Sequence, residues 1–193
     1  MDYKIIDSFL DKEHYLTVSS FLKSKSCPYY FEDNDTYKES KNKNGFFSFC
    51  YYNNNRPDHS LFDNHIVPIL KKLNYFSCVQ VRANLSFRDK DSIECGIHTD
   101  YDAESLTTAI LFLTKSNAKT ILYVDDKPIS IDNLENRILI FPSYIKHKVI
   151  YQTDVHKRYV INFNYFENPF VTSTGVPATA RWWNLCCCFQ YVL

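Results

Sequence analysis

Glycine is nearly missing from this chain of 193 residues: it occurs only at positions 45, 96 and 175. A phosphate-cradling loop and a dinucleotide fingerprint both need clustered glycines so that the backbone can approach phosphate closely, so nucleotide-dependent chemistry is disfavoured. Net charge is missing too, because 22 Lys and Arg balance 22 Asp and Glu. No overall field draws the molecule toward a phosphate backbone or an anionic membrane, so nucleic acid is disfavoured as a partner. Lys115, Lys119, Lys146 and Lys148 read as solvated loop or strand ends. No early stretch joins a basic start to an uninterrupted apolar run and a small-residue cleavage site; neither export nor membrane insertion is indicated, and the cytoplasm is the expected location.

The seven cysteines are an odd number and contain no CxxC pair. That argues against a disulfide framework and for reduced thiols. Three of them, Cys186, Cys187 and Cys188, follow Trp182 and Trp183 in an apolar tail. Adjacent strand residues point to opposite faces, so three consecutive thiols do not readily share one metal, and the tail reads as a packed terminal segment.

What the chain does have is apolar and aromatic content, 45% and 17%. Both lie far from the composition of a disordered polymer, and the length suits one domain spanning residues 1–193. Residues 3–9 predict a short strand. Asp11 caps a predicted helix to about Ser24, with Tyr15, Val18, Phe21 and Leu22 on one face. A polar surface loop at 33–44 precedes an aromatic strand at 46–52, and a helix is expected from Pro57 to about Leu73, bent or broken at Pro68. From residue 75 the pattern changes to short apolar strands at 75–87, 94–100, 106–113, 120–124, 128–131, 137–142, 146–151 and 157–166. Helices first and strands afterwards predict a mainly β fold with some α, a double-sheet jelly roll with N-terminal packing helices.

Within that strand region, His98 and Asp100 stand two apart on a predicted strand and so project from one face, able to grip one ion. His147 follows the apolar strand RILIF, and Arg158 lies on the next strand, KRYVINF. Two imidazoles and one carboxylate on a jelly roll form a facial triad that leaves coordination positions open, the arrangement suited to iron(II) oxygen chemistry; a structural zinc site closes its shell with four ligands. A buried guanidinium holds a carboxylate bidentately and stays charged, so Arg158 reads as an anchor for an acid. The competing reading makes His98 and His147 core histidines, which would leave the Asp100 carboxylate buried without a cation, and makes Arg158 a structural partner of Asp100 or Asp102. His14, His59, His65 and His156 carry no expected ligand role.

The ordered pattern His98-x-Asp100, His147, Arg158 resembles the iron(II)/2-oxoglutarate-dependent dioxygenase superfamily over residues 75–166. Residues 3–24 resemble the opening of its prolyl 4-hydroxylase-like branch. The resemblance implies that His98, Asp100 and His147 hold iron(II) and that Arg158 meets the distal carboxylate of 2-oxoglutarate. Dioxygen then decarboxylates the co-substrate to succinate and CO2 while the substrate is hydroxylated, with ascorbate as an optional accessory. Asp100 itself implies hydroxylation, because halogenating relatives carry a small residue there. Asn84 resembles an asparagine placed beside the co-substrate, and Tyr101 and Thr120 are placed like pocket-lining residues. Three departures stand out: Ala118-Lys119-Thr120 replaces a common Gly-Gly-Thr, Val160 replaces a hydroxyl usual in the small-molecule branch, and Arg158 stands where the commonest animal prolyl hydroxylases carry Lys, so peptidyl-proline specificity does not simply carry over. The expected substrate is thus a protein side chain, prolyl included, or a small molecule. Two alternatives remain open: a nucleobase demethylase of the same superfamily, to be revealed by salt-dependent binding of single-stranded DNA, and a jelly-roll metal- or partner-binding protein without turnover.

Overall fold

The computed structural model describes residues 3–32, 45–88, 91 and 93–169. The polar loop expected at 33–44 and the Trp- and Cys-rich tail lie outside the described residues.

The chain opens with β1 (Lys4–Ile6) and α1 (Lys12–Lys23). The Asp11 carboxylate accepts from the His14 backbone N–H at 2.9 Å and so satisfies one of the donors that a helix start leaves unpaired. Tyr15, Val18 and Leu22 fall on the buried face of α1, as the helical spacing predicts, joined by Ser19. β2 (Tyr30–Glu32) and β3 (Phe46–Asn53) pair antiparallel, and β4 (Arg56–Pro57) adds a two-residue pairing to β3.

The helix expected from Pro57 begins later, because Pro57 is paired as a strand residue opposite Tyr52. The helical segment starts with a π-helical turn (Phe62–Ile66) and becomes α2 (Val67–Lys72). Pro68 stands at the first α turn, where a missing N–H costs nothing, so it marks the junction of the two helical forms.

Then come β5 (Tyr75–Phe87), β6 (Leu106–Phe112), β7 (Lys119–Val124), β8 (Lys127–Asp132), β9 (Arg137–Pro142), β10 (His147–Ile150) and β11 (Lys157–Glu167). They form a major sheet in the order β1-β9-β6-β11-β5-β3-β2, with β4 on β3, and a minor sheet in the order β10-β7-β8. The expected strand at 94–100 is the main local departure. It runs antiparallel to β10 but touches it through only two isolated bridges, Glu94 to Ile150 and His98 to His147. The ladder is interrupted where the Cys95 thiol accepts the Val149 N–H at 2.9 Å, a role a regular ladder assigns to a carbonyl. Counting this segment, the chain passes back and forth between the sheets as a jelly roll does, with β7 and β8 consecutive in the minor sheet.

Two apolar cores result. One packs α1, α2 and the π-helical turn on the outer face of the major sheet, through Val18, Leu22, Ile66, Ile69, Tyr51, Ile161 and Phe163. The other fills the space between the sheets with Ile110, Phe112, Leu122, Ile131, Leu139, Phe141, Ile145 and Val160. On β11 the two cores claim alternate residues, Val160 inward and Ile161 and Phe163 outward, as the strand period requires. No helix among the described residues is long and apolar enough to cross a membrane.

Candidate active site

Between the sheets, toward one end, lies a cavity of about 650 Å³ including its open mouth. β5 contributes Arg82, Asn84 and Ser86, and β11 contributes Arg158, Val160 and Asn162; the 94–100 segment and β10 add Cys95, His98, Asp100, His147 and Val149. Alternation along each strand explains the spacing of two. Of the residues expected at the site, His98, Asp100, His147, Arg158 and Asn84 line this cavity, whereas Tyr101 and Thr120 are not part of its wall. Thr120 is buried opposite Val149 with its hydroxyl unpartnered.

His98, Asp100 and His147 offer ligand atoms that all lie within 4.8 Å of one another. Asp100 Oδ1 is 3.6 Å from His147 Nε2 and 4.0 Å from His98 Nε2. Each imidazole is oriented from behind: His98 Nδ1 bonds the Gly96 carbonyl at 3.0 Å and His147 Nδ1 bonds the Ile145 carbonyl at 3.1 Å. A carbonyl only accepts, so Nδ1 carries the proton and Nε2 is left as the ligand atom, the backing usual for metal-binding histidines. Burial, and secondarily the neighbouring His147, lower the His98 pKa below the ordinary imidazole value, which favours the neutral, ligating form. The second carboxylate oxygen is equally committed: Asp100 Oδ2 accepts from Thr108 Oγ1 at 2.9 Å and Asn164 Nδ2 at 3.0 Å. That leaves Oδ1 facing the two Nε2 atoms.

These donors fit a divalent metal. Atoms about 2.1 Å from one ion at right angles stand roughly 3 Å apart, so the carboxylate-to-imidazole separations of 3.6 and 4.0 Å need to tighten by about an ångström or less. The mixed nitrogen and oxygen set is the two-histidine, one-carboxylate facial arrangement suited to iron(II).

Arg158, expected as a carboxylate anchor, is 5% exposed. Its Nε donates to Asn133 Oδ1 at 2.7 Å, its guanidinium lies 5.9 Å from the Phe112 ring centroid, and among the described residues it has no carboxylate partner. Asp100 is taken up by His98, His147, Thr108 and Asn164, so the reading of Arg158 as its structural partner does not hold. Burial pulls the Arg158 pKa down to about 10, so the group is still charged at neutral pH and lacks a buried counter-charge.

Sequence reasoning missed Thr108, Asn133 and Asn164, which hold Asp100 and Arg158. A signal for Asn162 and Asn164 exists: they continue the alternation of Arg158 and Val160 along an otherwise apolar strand. Asn133 carries no such signal, because it comes from the chain just after β8.

No family profile matches the sequence, and no curated protein resembles it significantly. Solved structures do resemble the fold. An oxidoreductase of the 2OG-Fe(II) oxygenase family from Burkholderia pseudomallei superposes with a TM-score of 0.66 at 8% identity, covering 86% of each chain. The fold is the one shared by 2-oxoglutarate- and iron(II)-dependent oxygenases. A Pseudomonas putida prolyl-4-hydroxylase aligns at TM-score 0.56 and 10% identity, over 86% of this chain and 93% of that one. A Trichoplax adhaerens prolyl hydroxylase, solved with a peptide fragment of the hypoxia inducible factor oxygen degradation domain, aligns at 0.61 and 16%, over 86% and 84%. At 8–16% identity these are likenesses of fold.

Proposed function

We propose that this protein is an iron(II)- and 2-oxoglutarate-dependent oxygenase that hydroxylates its substrate, residues 1–193 forming one catalytic domain. The observation that carries the proposal is one cavity lined by both a facial donor triad and a buried, carboxylate-free arginine. His98, Asp100 and His147 would hold the metal. Arg158 would hold the distal carboxylate of 2-oxoglutarate, supplying the guanidinium with the anion that the described residues do not provide. Asn84, whose buried Oδ1 has no partner among the described residues, lines the same cavity from β5 and would sit beside the co-substrate.

Bound iron(II) with 2-oxoglutarate and dioxygen supplies oxidative decarboxylation to succinate and CO2, coupled to hydroxylation of a substrate C–H bond. The chain's own part is geometric and electrostatic. Gly96 and Ile145 carbonyls keep both Nε2 atoms turned inward, and Thr108 with Asn164 fixes the face that Asp100 presents. Val160, Ile110 and Val149 line the cavity with apolar surface, which limits water beside the reacting centre. A protein side chain, prolyl first, is the substrate class to test, in line with the fold's likeness to a hydroxylase solved with a peptide. The decisive assay is succinate release from 2-oxoglutarate that requires iron(II) and dioxygen and is lost in His98→Ala. A protein that binds metal but releases no succinate with any peptide would support a binding role.

A further inference from the structure

The co-substrate reading accounts for one of the two guanidinium groups in the cavity and leaves Arg82 unexplained. Arg82 sits on β5 opposite Asn162 of β11 on one side and Cys50 of β3 on the other. It is therefore displaced two residues along β5 from Asn84 and four from Ser86, the residue opposite Arg158. Its guanidinium lies 5.6 Å from the Phe46 ring centroid, and Phe46 also lines the cavity.

Three buried polar atoms in this wall have no hydrogen-bond partner among the described residues: Arg82 Nε, Asn84 Oδ1 and Asn162 Oδ1. Leaving a buried donor or acceptor unpaired is costly, so three together in one cavity mark a surface completed by a ligand. Charge points the same way. Among the described residues that line the cavity, Asp100 is the one carboxylate, set against two arginines. With a divalent ion added the wall carries three net positive charges, and dianionic 2-oxoglutarate neutralises two of them. One positive charge remains for the substrate to meet.

Resting on the oxygenase reading, we propose that Arg82, stacked on Phe46 and flanked by the Asn162 carbonyl oxygen, is a specificity-determining residue that receives an oxyanion of the substrate. The substrate thus carries a carboxylate or a phosphate close to the carbon that is oxidised, with an N–H or O–H placed to satisfy Asn162. A carboxylate would come from an acidic side chain or chain end, and a phosphate from a phosphorylated residue or metabolite.

The test uses the full chain loaded with manganese(II) and N-oxalylglycine, which occupies the co-substrate position without turnover. Methylphosphonate followed by 31P relaxation and trifluoroacetate followed by 19F relaxation serve as probes, since the paramagnetic ion relaxes only nuclei held near it. The expected result is saturable relaxation of at least one probe, weakened tenfold or more in Arg82→Met and partly restored in Arg82→Lys, while the thermal shift produced by N-oxalylglycine stays at its wild-type value. That retained shift shows that the variants are folded. Enhancement by the phosphonate alone assigns a phosphate, and by the acetate alone a carboxylate. Equal relaxation in wild type and Arg82→Met, or none with either probe, overturns the proposal and leaves the oxygenase reading standing. Failure of manganese to bind in a manner lost with His98→Ala would sink the oxygenase reading and this inference with it.

Discussion

Replacing Arg158 by Met should leave the empty protein as stable as wild type or slightly more so, and should remove the stabilisation that the co-substrate gives. In the ligand-free protein, burial lowers the guanidinium pKa from 12.5 to about 10. The unfolded chain then holds the proton more tightly than the folded one. The charge costs native stability everywhere below about pH 10, and the cost fades as pH rises from there toward the unfolded value. At about 1.36 kcal/mol per pH unit the penalty is roughly 3 kcal/mol at neutral pH. Losing the Nε bond to Asn133 gives back about 1 kcal/mol, and Met fills a similar volume. Ligand-free Arg158→Met should therefore melt at or a few degrees above wild type, at about 2–4 °C per kcal/mol for a chain of this size. With manganese(II) and saturating 2-oxoglutarate that lead is offset. Wild type gains about 2.7 kcal/mol at a hundredfold excess over Kd. The variant loses a buried charge-assisted pair of about 3–5 kcal/mol, which raises its Kd at least a hundredfold and removes the shift. Thermal melts of both proteins with and without the two ligands measure all four states. A variant that melts far below wild type when empty, yet gains the same shift from 2-oxoglutarate, would show that Arg158 is a structural strut and would refute the argument.

Other residues give independent checks. Thr108→Val removes the hydroxyl that holds Asp100 Oδ2 and should weaken metal affinity about 10–100-fold, as read by competition with a fluorescent chelator, with Thr108→Ser restoring most of it. Gly45→Ala forces a methyl into a backbone at φ +63°, where it would stand 2.6 Å from the Glu32 carbonyl oxygen; chemical denaturation should show a loss of about 1–3 kcal/mol. Burial pushes the Cys27 and Cys78 thiols up to about 12. At pH 8 both should alkylate at least about a thousandfold more slowly in the native protein than in urea, as resolved by peptide mapping.

The candidate chemistry was legible in the sequence to the extent that it is written in short-range pattern. His98 and Asp100 two apart, His147 after an apolar strand and Arg158 on the next one named the donor set, and the same side chains line one cavity. Asp11 as a cap and the buried face of α1 were equally local. In both misreadings, pairing with another segment overrode local preference, a neighbouring one for Pro57 and a distant one for residues 94–100. Pro57 was drawn into a strand by β3, and residues 94–100 lost their regular ladder where a cysteine side chain replaced a backbone acceptor.

By itself, the order of residues determined the element types over most of the described chain, the alternation of inward and outward side chains along β5 and β11, and the identity of the groups able to bind a metal and an acid. Those properties depend on the 3.6 and 2.0 periodicities of helix and strand and on side-chain chemistry, all of which act over a few positions. Only the tertiary structure decided that Thr108 and Asn164 grip Asp100, that Asn133 orients Arg158, and that Arg82 and Asn162 face one another with unpartnered atoms in the same cavity. Those juxtapositions depend on the register of strands as many as 80 residues apart. Register is set by the burial of two whole sheet faces together, and no single segment carries it.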